Sequence, residues 1–530
     1  MSKSVLRCGV LAGLVLAAAC AREPQQKVAL HQLYTPHFQP PPPEEPPLVS
    51  LRKWFDEVEA RRRTPGPSRL LPSQAGVLWL SLALVVAVGF DFRHPRNPRN
   101  VDLLLMQVAG WLFFDIIGYT NRLQNPMVRN VMDWTFIAIV AVTVTLLVRA
   151  ILRIYRGARV DWQPGVGRKA LAILAAIVIA LDVGAALLLP PDDAGYFINI
   201  GAQRLRERGR WPYGDPLLTS TPAAAYGPLL YLAHLPFQLA LAPERVNPVS
   251  LPRPPIESGD VYFEPPIAAT QLCAVAFHLL AIAALFAAGR RLAGATVAWA
   301  LVVLYCGSAY VLGVGGDMYF IGGMTYVSHI APAAVTLLAF ALLPRPAWSG
   351  AALAASVGTL FYPIFMVPAW LGYYWNDRYH LKRFIVGFGV ASLVIAGSVL
   401  ALSRPANNRG LIATIASDTI GHQESPDAYG SSPFGFWGQR GGMRGWLMTP
   451  LVSGRSMTRP VVLMFFVFAA GMFVVAQRRT PAQFALVIAA VAMGAELWKI
   501  HATATYVTWY YPFLLIGFLG DRSARSSSDV

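Results

Sequence analysis

The feature that most constrains this chain is a succession of apolar runs long enough to cross a lipid bilayer. Eleven occur, near residues 74–90, 101–119, 132–152, 169–190, 266–289, 293–312, 326–343, 383–402, 459–476, 481–498 and 506–520. A hydrocarbon core of ~30 Å takes about 20 residues of helix, and it leaves no water to satisfy an irregular backbone. A further apolar stretch, 349–375, is interrupted by Pro363 and Pro368 and reads as two short segments rather than one span. The expected fold is an all-α polytopic membrane protein with about 12–13 transmembrane helices. Composition agrees: 14% of residues are charged and 55% hydrophobic, where a soluble protein carries about 25% charge. One large water-soluble enzyme, a disordered chain, a collagen, a coiled coil and a zinc finger are all excluded.

The 44 basic residues outnumber the 28 acidic ones, for a net charge of +16. In a soluble protein that excess would point to nucleic acid. Here the basic residues flank apolar runs, as cytoplasmic loops do, so membrane lipids are the expected surroundings and no nucleic-acid partner is called for. The basic connections are Arg93/Arg96/Arg99, Arg153/Arg156/Arg159/Arg168/Lys169, Arg290/Arg291, Arg378/Lys382/Arg383 and Arg478/Arg479. With 349–375 taken as a hairpin-like pair, all of them fall on one side. The opposite, outer side then receives two long loops, 191–265 and 403–458. Long loops tend to carry function, so the chemistry is expected outside.

The first 20 residues hold Lys3 and Arg7, an apolar run of signal-segment length, and Ala17-Ala18-Ala19-Cys20. This reads either as a lipoprotein-like segment lipidated at Cys20 or as an uncleaved anchor. Residues 21–73 are proline-rich, with Pro40 to Pro43 in succession, and read as an outer-face tail. Within it, residues 51–63 could form a short surface helix. The four cysteines, Cys8, Cys20, Cys273 and Cys306, make neither a disulfide framework nor a metal-binding spacing. No cofactor or metal motif stands out.

Candidate chemistry begins where the span 169–190 ends, at Asp192 and Asp193. A carboxylate at the membrane boundary sits where the dielectric falls, which moves it towards general-base use; a helix cap is the plainer alternative. Residues 194–209 have the pattern of an amphipathic helix carrying Arg204, Arg206 and Arg208, with Arg210 just beyond. Cations there suit a lipid phosphate, or simply snorkel to the interface. After them come Trp211-Pro212-Tyr213-Gly214-Asp215 and Tyr226-Gly227-Pro228-Leu229-Leu230-Tyr231.

An Asp just after a span, a Gly-containing helix, then P-Y-G and Y-G-P-L-x-Y, resembles the GT-C superfamily. These are multi-spanning glycosyltransferases that use polyprenyl-phosphate sugars on the outer membrane face. The nearest branch is that of the polyprenyl-phosphomannose-type mannosyltransferases and their bacterial relatives. The resemblance implies Asp193 as general base, with Asp192 in reserve, and Tyr196, Arg204, Tyr213 and Tyr226 at the substrate. In the second outer loop, Asp418-Thr419-Ile420-Gly421-His422-Gln423 and Ser432-Pro433-Phe434-Gly435-Phe436-Trp437-Gly438 resemble the same branch. They bring His422, Gln423 and Trp437 as sugar contacts, because aromatic faces stack on sugars while amides bond their edges. Asp317 would orient the acceptor or cap a turn. Arg444, Lys499 and His501 are candidate phosphate ligands; the branch often has a Lys near Gly358–Pro363, and this chain has none there. Tyr506 to Pro512 resembles the start of the final GT-C span, or an aromatic belt.

The implied organisation is a segment 1–20, a tail 21–73, an accessory N-terminal transmembrane bundle 74–160 and a GT-C-like transmembrane domain 161–530. The implied partners are a polyprenyl-phosphate sugar donor and a lipid- or glycan-linked acceptor, at the inner membrane of a bacterium. A transporter or flippase of lipid-linked saccharides, and a non-enzymatic scaffold for envelope assembly, are the rival readings.

Overall fold

The structure is a computed structural model that describes residues 74–120, 126–156, 162–188, 191, 193–215, 222–241, 244–246, 262–264, 266–312, 326–405, 410–421, 458–498 and 506–520. The signal-like segment, the tail and the short helix expected at 51–63 lie outside the described residues. The regular structure of the described residues is helical except for one two-stranded antiparallel ribbon, β1 (Glu244–Val246) and β2 (Tyr262–Glu264), in which Arg245 pairs with Phe263.

Each apolar run forms helix. In order these are α1 (Gln74–Gly89), α2 (Pro98–Thr120), α3 (Pro126–Arg156), α4 (Arg168–Leu188), α5 (Asp193–Arg208), α6 (Pro228–Ala240), α7 (Ile267–Cys306), α8 (Ala309–Leu312), α9 (Val327–Ala341), α10 (Pro346–Thr359), α11 (Val367–Tyr374), α12 (Arg378–Leu402), α13 (Leu411–Ala416), α14 (Thr458–Val475), α15 (Pro481–Trp498) and α16 (Tyr511–Leu519). Four of them contain stretches long and apolar enough to cross a membrane unaided: Ile137–Arg156, Arg168–Leu187, Ile267–Cys306 and Arg378–Leu402. The protein is therefore an all-α membrane protein. The expected full-length span at 506–520 is corrected: a 3-10 turn at Val507–Trp509 precedes α16, whose nine residues are too few to cross alone.

Two breaks follow the sequence. The 40-residue α7 is two helices joined at Gly294, whose φ of 84° lies outside helical space; this is the junction expected between 266–289 and 293–312. The stretch 349–375 divides into α10 and α11 around a 3-10 turn at Tyr362–Met366 that holds Pro363.

The chain forms two compact units. One comprises, among described residues, 193–273 and 394–421: α5, α6, the ribbon, the first turns of α7, the end of α12, and α13 with its π-helical turn Ser417–Gly421. The other comprises 74–191, 274–393 and 458–520. In this second unit α3 packs against both α2 and α15.

The second unit wears its apolar residues outside as well as inside. On α4, Ile173, Ile177 and Leu181 are each more than half exposed, while Leu171, Ala175 and Val178 on the other face are buried. Val144, Val148 and Leu152 on α3 and Val386, Val390 and Leu393 on α12 make similar exposed stripes. Residues three and four apart share one helix face, so these are continuous apolar bands; their natural solvent is lipid. By contrast α15 and α16 are sealed on every side.

Two of the basic connections, at Arg153–Arg156 and Arg478–Arg479, lie beside each other. Arg479 and Gln483 both donate to the carbonyl of Ile154, at 3.0 and 3.1 Å. Arg149 and Arg153 hold the buried carboxylate of Asp102.

Candidate functional site

In the first unit, α5 opens at Asp193, a few residues past the end of α4. Residues 194–205 are all buried, so this helix is a core element and not a helix lying on a surface. Its inner face is polar and bonded internally. Asn199 donates to the carbonyl of Pro266 at 3.0 Å, and Gln238 of α6 donates to the Asn199 carbonyl at 2.7 Å. Thr270 bonds the Gly195 carbonyl at 3.1 Å. At Gly201 an added Cβ would lie 2.4 Å from the Tyr231 ring and 2.7 Å from the Ala223 carbonyl, so glycine lets α5 abut α6 and the 3-10 turn Pro222–Ala224.

Arg204, expected as a cation offered to phosphate, is buried and ion-paired: its Nε lies 3.1 Å from Asp215 and its Nη1 3.4 Å from Glu207. Burial of a guanidinium demands such partners. Arg208 reaches the same Asp215 oxygen at 3.3 Å and is the more exposed of the two. Burial draws the Arg208 pKa below its ordinary value, with Asp215 opposing. Arg206 donates to the Gln238 carbonyl.

Tyr213 is buried and gives its hydroxyl to the Tyr226 carbonyl at 2.7 Å. Tyr231 donates to the Ala223 carbonyl at 2.8 Å and accepts from the Tyr226 N–H at 3.1 Å. Burial raises both phenols far above the ordinary tyrosine pKa, so they stay neutral donors. The W-P-Y-G and Y-G-P motifs are thus bolted together through two tyrosine hydroxyls. Tyr196 packs with Phe197, Ile200, Ala223 and Ala224, and Tyr226 lies against that cluster.

Segments of the two long loops expected on the outer side converge here. Trp211 donates its backbone N–H to the Leu402 carbonyl at 3.1 Å and its indole N–H to that of Ser398 at 2.9 Å. The Gly214 N–H donates to Asp418 at 2.7 Å. Gly214 has φ +73°, and a Cβ there would stand 2.2 Å from the Arg404 carbonyl oxygen; the approach requires glycine. Asp418 belongs to the π-helical turn after α13, a geometry often found at functional sites.

Of the expected site residues, Asp193 is placed at the first position of α5, and Tyr196, Arg204, Tyr213 and Tyr226 are gathered in this unit. Asp192, Asp317, His422, Gln423, Trp437, Arg444, Lys499 and His501 lie outside the described residues.

Two groupings in the second unit are brought together only by the tertiary structure. Around the start of the final span, Tyr362 stacks on Trp509 with centroids 3.6 Å apart, Tyr506 meets His329 at 3.9 Å, and the Tyr310 hydroxyl is 2.6 Å from His329 Nδ1. The Tyr506 N–H donates to the buried carboxylate of Glu496 at 3.0 Å. This is an interior aromatic cluster where an interfacial belt was one expectation. The second grouping is Asp182, His278 and Cys306, fully buried together on α4 and α7. Ligand-type residues separated by such long stretches of chain carry no spacing motif, and only tertiary structure joins them. In comparisons with known proteins, no family model, curated protein or solved structure matches this chain.

Proposed function

We propose that the chain is a membrane glycosyltransferase of GT-C type. It transfers a sugar from a polyprenyl-phosphate donor to an envelope glycolipid or glycan on the outer face of a bacterial inner membrane. The observation that carries the reading is the union of the two motif-bearing outer loops in one compact unit, through Gly214 N–H to Asp418 at 2.7 Å and Trp211 to the end of α12. A site for two substrates, one of them lipid-borne, needs groups from separate loops held in register beside the membrane. The position of Asp193, on the first turn of a buried helix directly after a span, supports it as the base.

In the proposed reaction the acceptor hydroxyl gives its proton to Asp193 as its oxygen attacks the anomeric carbon. The bond from that carbon to the phosphate oxygen breaks, and the polyprenyl phosphate departs with the electron pair. The phosphate is already a good leaving group, so one base and cationic stabilisation suffice, and a single displacement inverts the anomeric centre.

The test is sugar transfer by purified protein from a panel of polyprenyl-phosphate sugars, mannose first, with Asp193→Asn alongside. Wild-type turnover of one donor, reduced at least ~100-fold in the variant, is the expected result. Full activity in Asp193→Asn would move the base elsewhere. A folded protein that turns over no donor would put the flippase or scaffold reading first.

A further inference from the structure

Asp182, His278 and Cys306 lie on membrane-spanning helices and are sealed from solvent, at 1%, 0% and 0% exposure. Their ligand atoms all lie within 4.8 Å of one another, and His278 Nε2 is 3.2 Å from Asp182 Oδ2. The three groups therefore face one another directly, with the imidazole and the carboxylate at ion-pair distance. Apart from that pair, no residue outside the trio makes a hydrogen bond of good geometry to the Asp182 carboxylate or the His278 ring among the described residues. The Tyr305 ring stacks on the imidazole at 5.8 Å, closing one side. An acid, an imidazole and a thiol buried together in an apolar interior are costly, and apolar side chains at these positions would avoid that cost.

One ligand could take a donor atom from each of the three at once. We propose that Asp182, His278 and Cys306 bind a divalent transition metal of the zinc class. The donor set is one oxygen, one nitrogen and one sulfur, which suits Zn²⁺ and disfavours Mg²⁺ and Ca²⁺, whose ligands are all oxygen. Charge gives a second reason. With Asp182 as carboxylate, Cys306 as thiolate and His278 neutral, a dication leaves the site with no net charge, the cheapest state in a low-dielectric interior. Zinc bonds of about 2.0–2.3 Å place tetrahedral donors roughly 3.3–3.7 Å apart. The Asp182–His278 pair, at 3.2 Å, lies close to that spacing, and Cys306 Sγ stands within 4.8 Å of both other ligand atoms. Three protein ligands leave a fourth position open. Asp182 lies about 9 Å before the end of α4 at the helical rise of ~1.5 Å per residue, and Cys306 ends α7, so two of the three ligands stand near helix ends. The proposal is independent of the glycosyltransferase reading.

The experiment uses the full-length purified protein, stripped with chelator and titrated with Co²⁺ and Zn²⁺. The expected result is one equivalent of metal per chain, a thiolate-to-Co²⁺ charge-transfer band in the near ultraviolet, and displacement of Co²⁺ by Zn²⁺. Cys306→Ser, nearly isosteric, should lose that band, and His278→Asn should weaken binding by more than the ten- to hundredfold typical of an outer-shell loss. Cys273→Ser, at the other buried cysteine of α7, should bind as wild type. Unfolding temperature in chelator shows whether each variant is folded. The proposal falls if folded wild type binds no metal, if stoichiometry and band survive Cys306→Ser, or if Cys273→Ser removes them equally.

Discussion

His234 shows how much a single side chain can couple this fold to pH. It is fully buried on α6, and its Nδ1–H donates to the Leu230 carbonyl at 2.8 Å. Burial penalises the imidazolium and lowers the pKa from 6.5 to about 4, although the Leu230 bond opposes the shift. Between those values the unfolded chain binds a proton that the folded chain refuses. The stability is therefore complete above about pH 6.5 and is lost as pH falls towards 4, by up to about 3 kcal/mol. Thermal unfolding in detergent should show a wild-type midpoint dropping across this window, with a shallower slope in His234→Gln. Equal slopes would remove His234 as the cause. Arg204 and Asp215 teach a related lesson. Arg204 was expected to offer its charge to a phosphate; in the fold it is buried against Asp215 and ties α5 to the W-P-Y-G turn. Sequence shows which groups are charged, but only the fold shows whether a charge faces substrate or another charge.

At the scale of elements, most of the architecture was legible. Each apolar run formed helix, and the breaks fell where proline or glycine interrupts one, because lipid offers no partner for a freed backbone group. What periodicity could not give is which faces meet. α10 and α12 approach through paired glycines. A Cβ on Gly387 would stand 1.9 Å from the Ala347 carbonyl oxygen, and one on Gly350 would stand 2.4 Å from that of Phe384. Lipid tails are as apolar as side chains, so such close backbone contact, rather than hydrophobic burial, holds helices together in a membrane. Gly387→Ala should destabilise the protein by about 1–3 kcal/mol, as overpacking does. Gly389→Ala and Gly397→Ala, on the same helix with nothing within 4 Å, should leave the unfolding midpoint unchanged or slightly raised. A neutral Gly387→Ala would mean that α10 and α12 do not meet this closely.

For the whole molecule, the arrangement of charge predicts an orientation that can be measured. Arg93 is exposed in a basic connection, and Leu239 is 63% exposed on α6 in the first outer loop. In intact cells an impermeant maleimide should label Leu239→Cys and spare Arg93→Cys until the membrane is opened; the reverse pattern would invert the topology. The meeting of Arg479 and Gln483 with Ile154 fits the one-sided basic connections. The sequence by itself determined the class, the helices, their breaks and the segments that punctuate the outer loops. All of these depend on local composition and on a solvent that forbids unpaired backbone. Tertiary structure alone decided that residues 394–421 join 193–273, that Tyr213 and Tyr231 lock two motifs, and that Asp182, His278 and Cys306 converge. These depend on contacts between residues far apart in the chain. No period or spacing encodes such contacts, because each is specified by the shapes of two helix faces together.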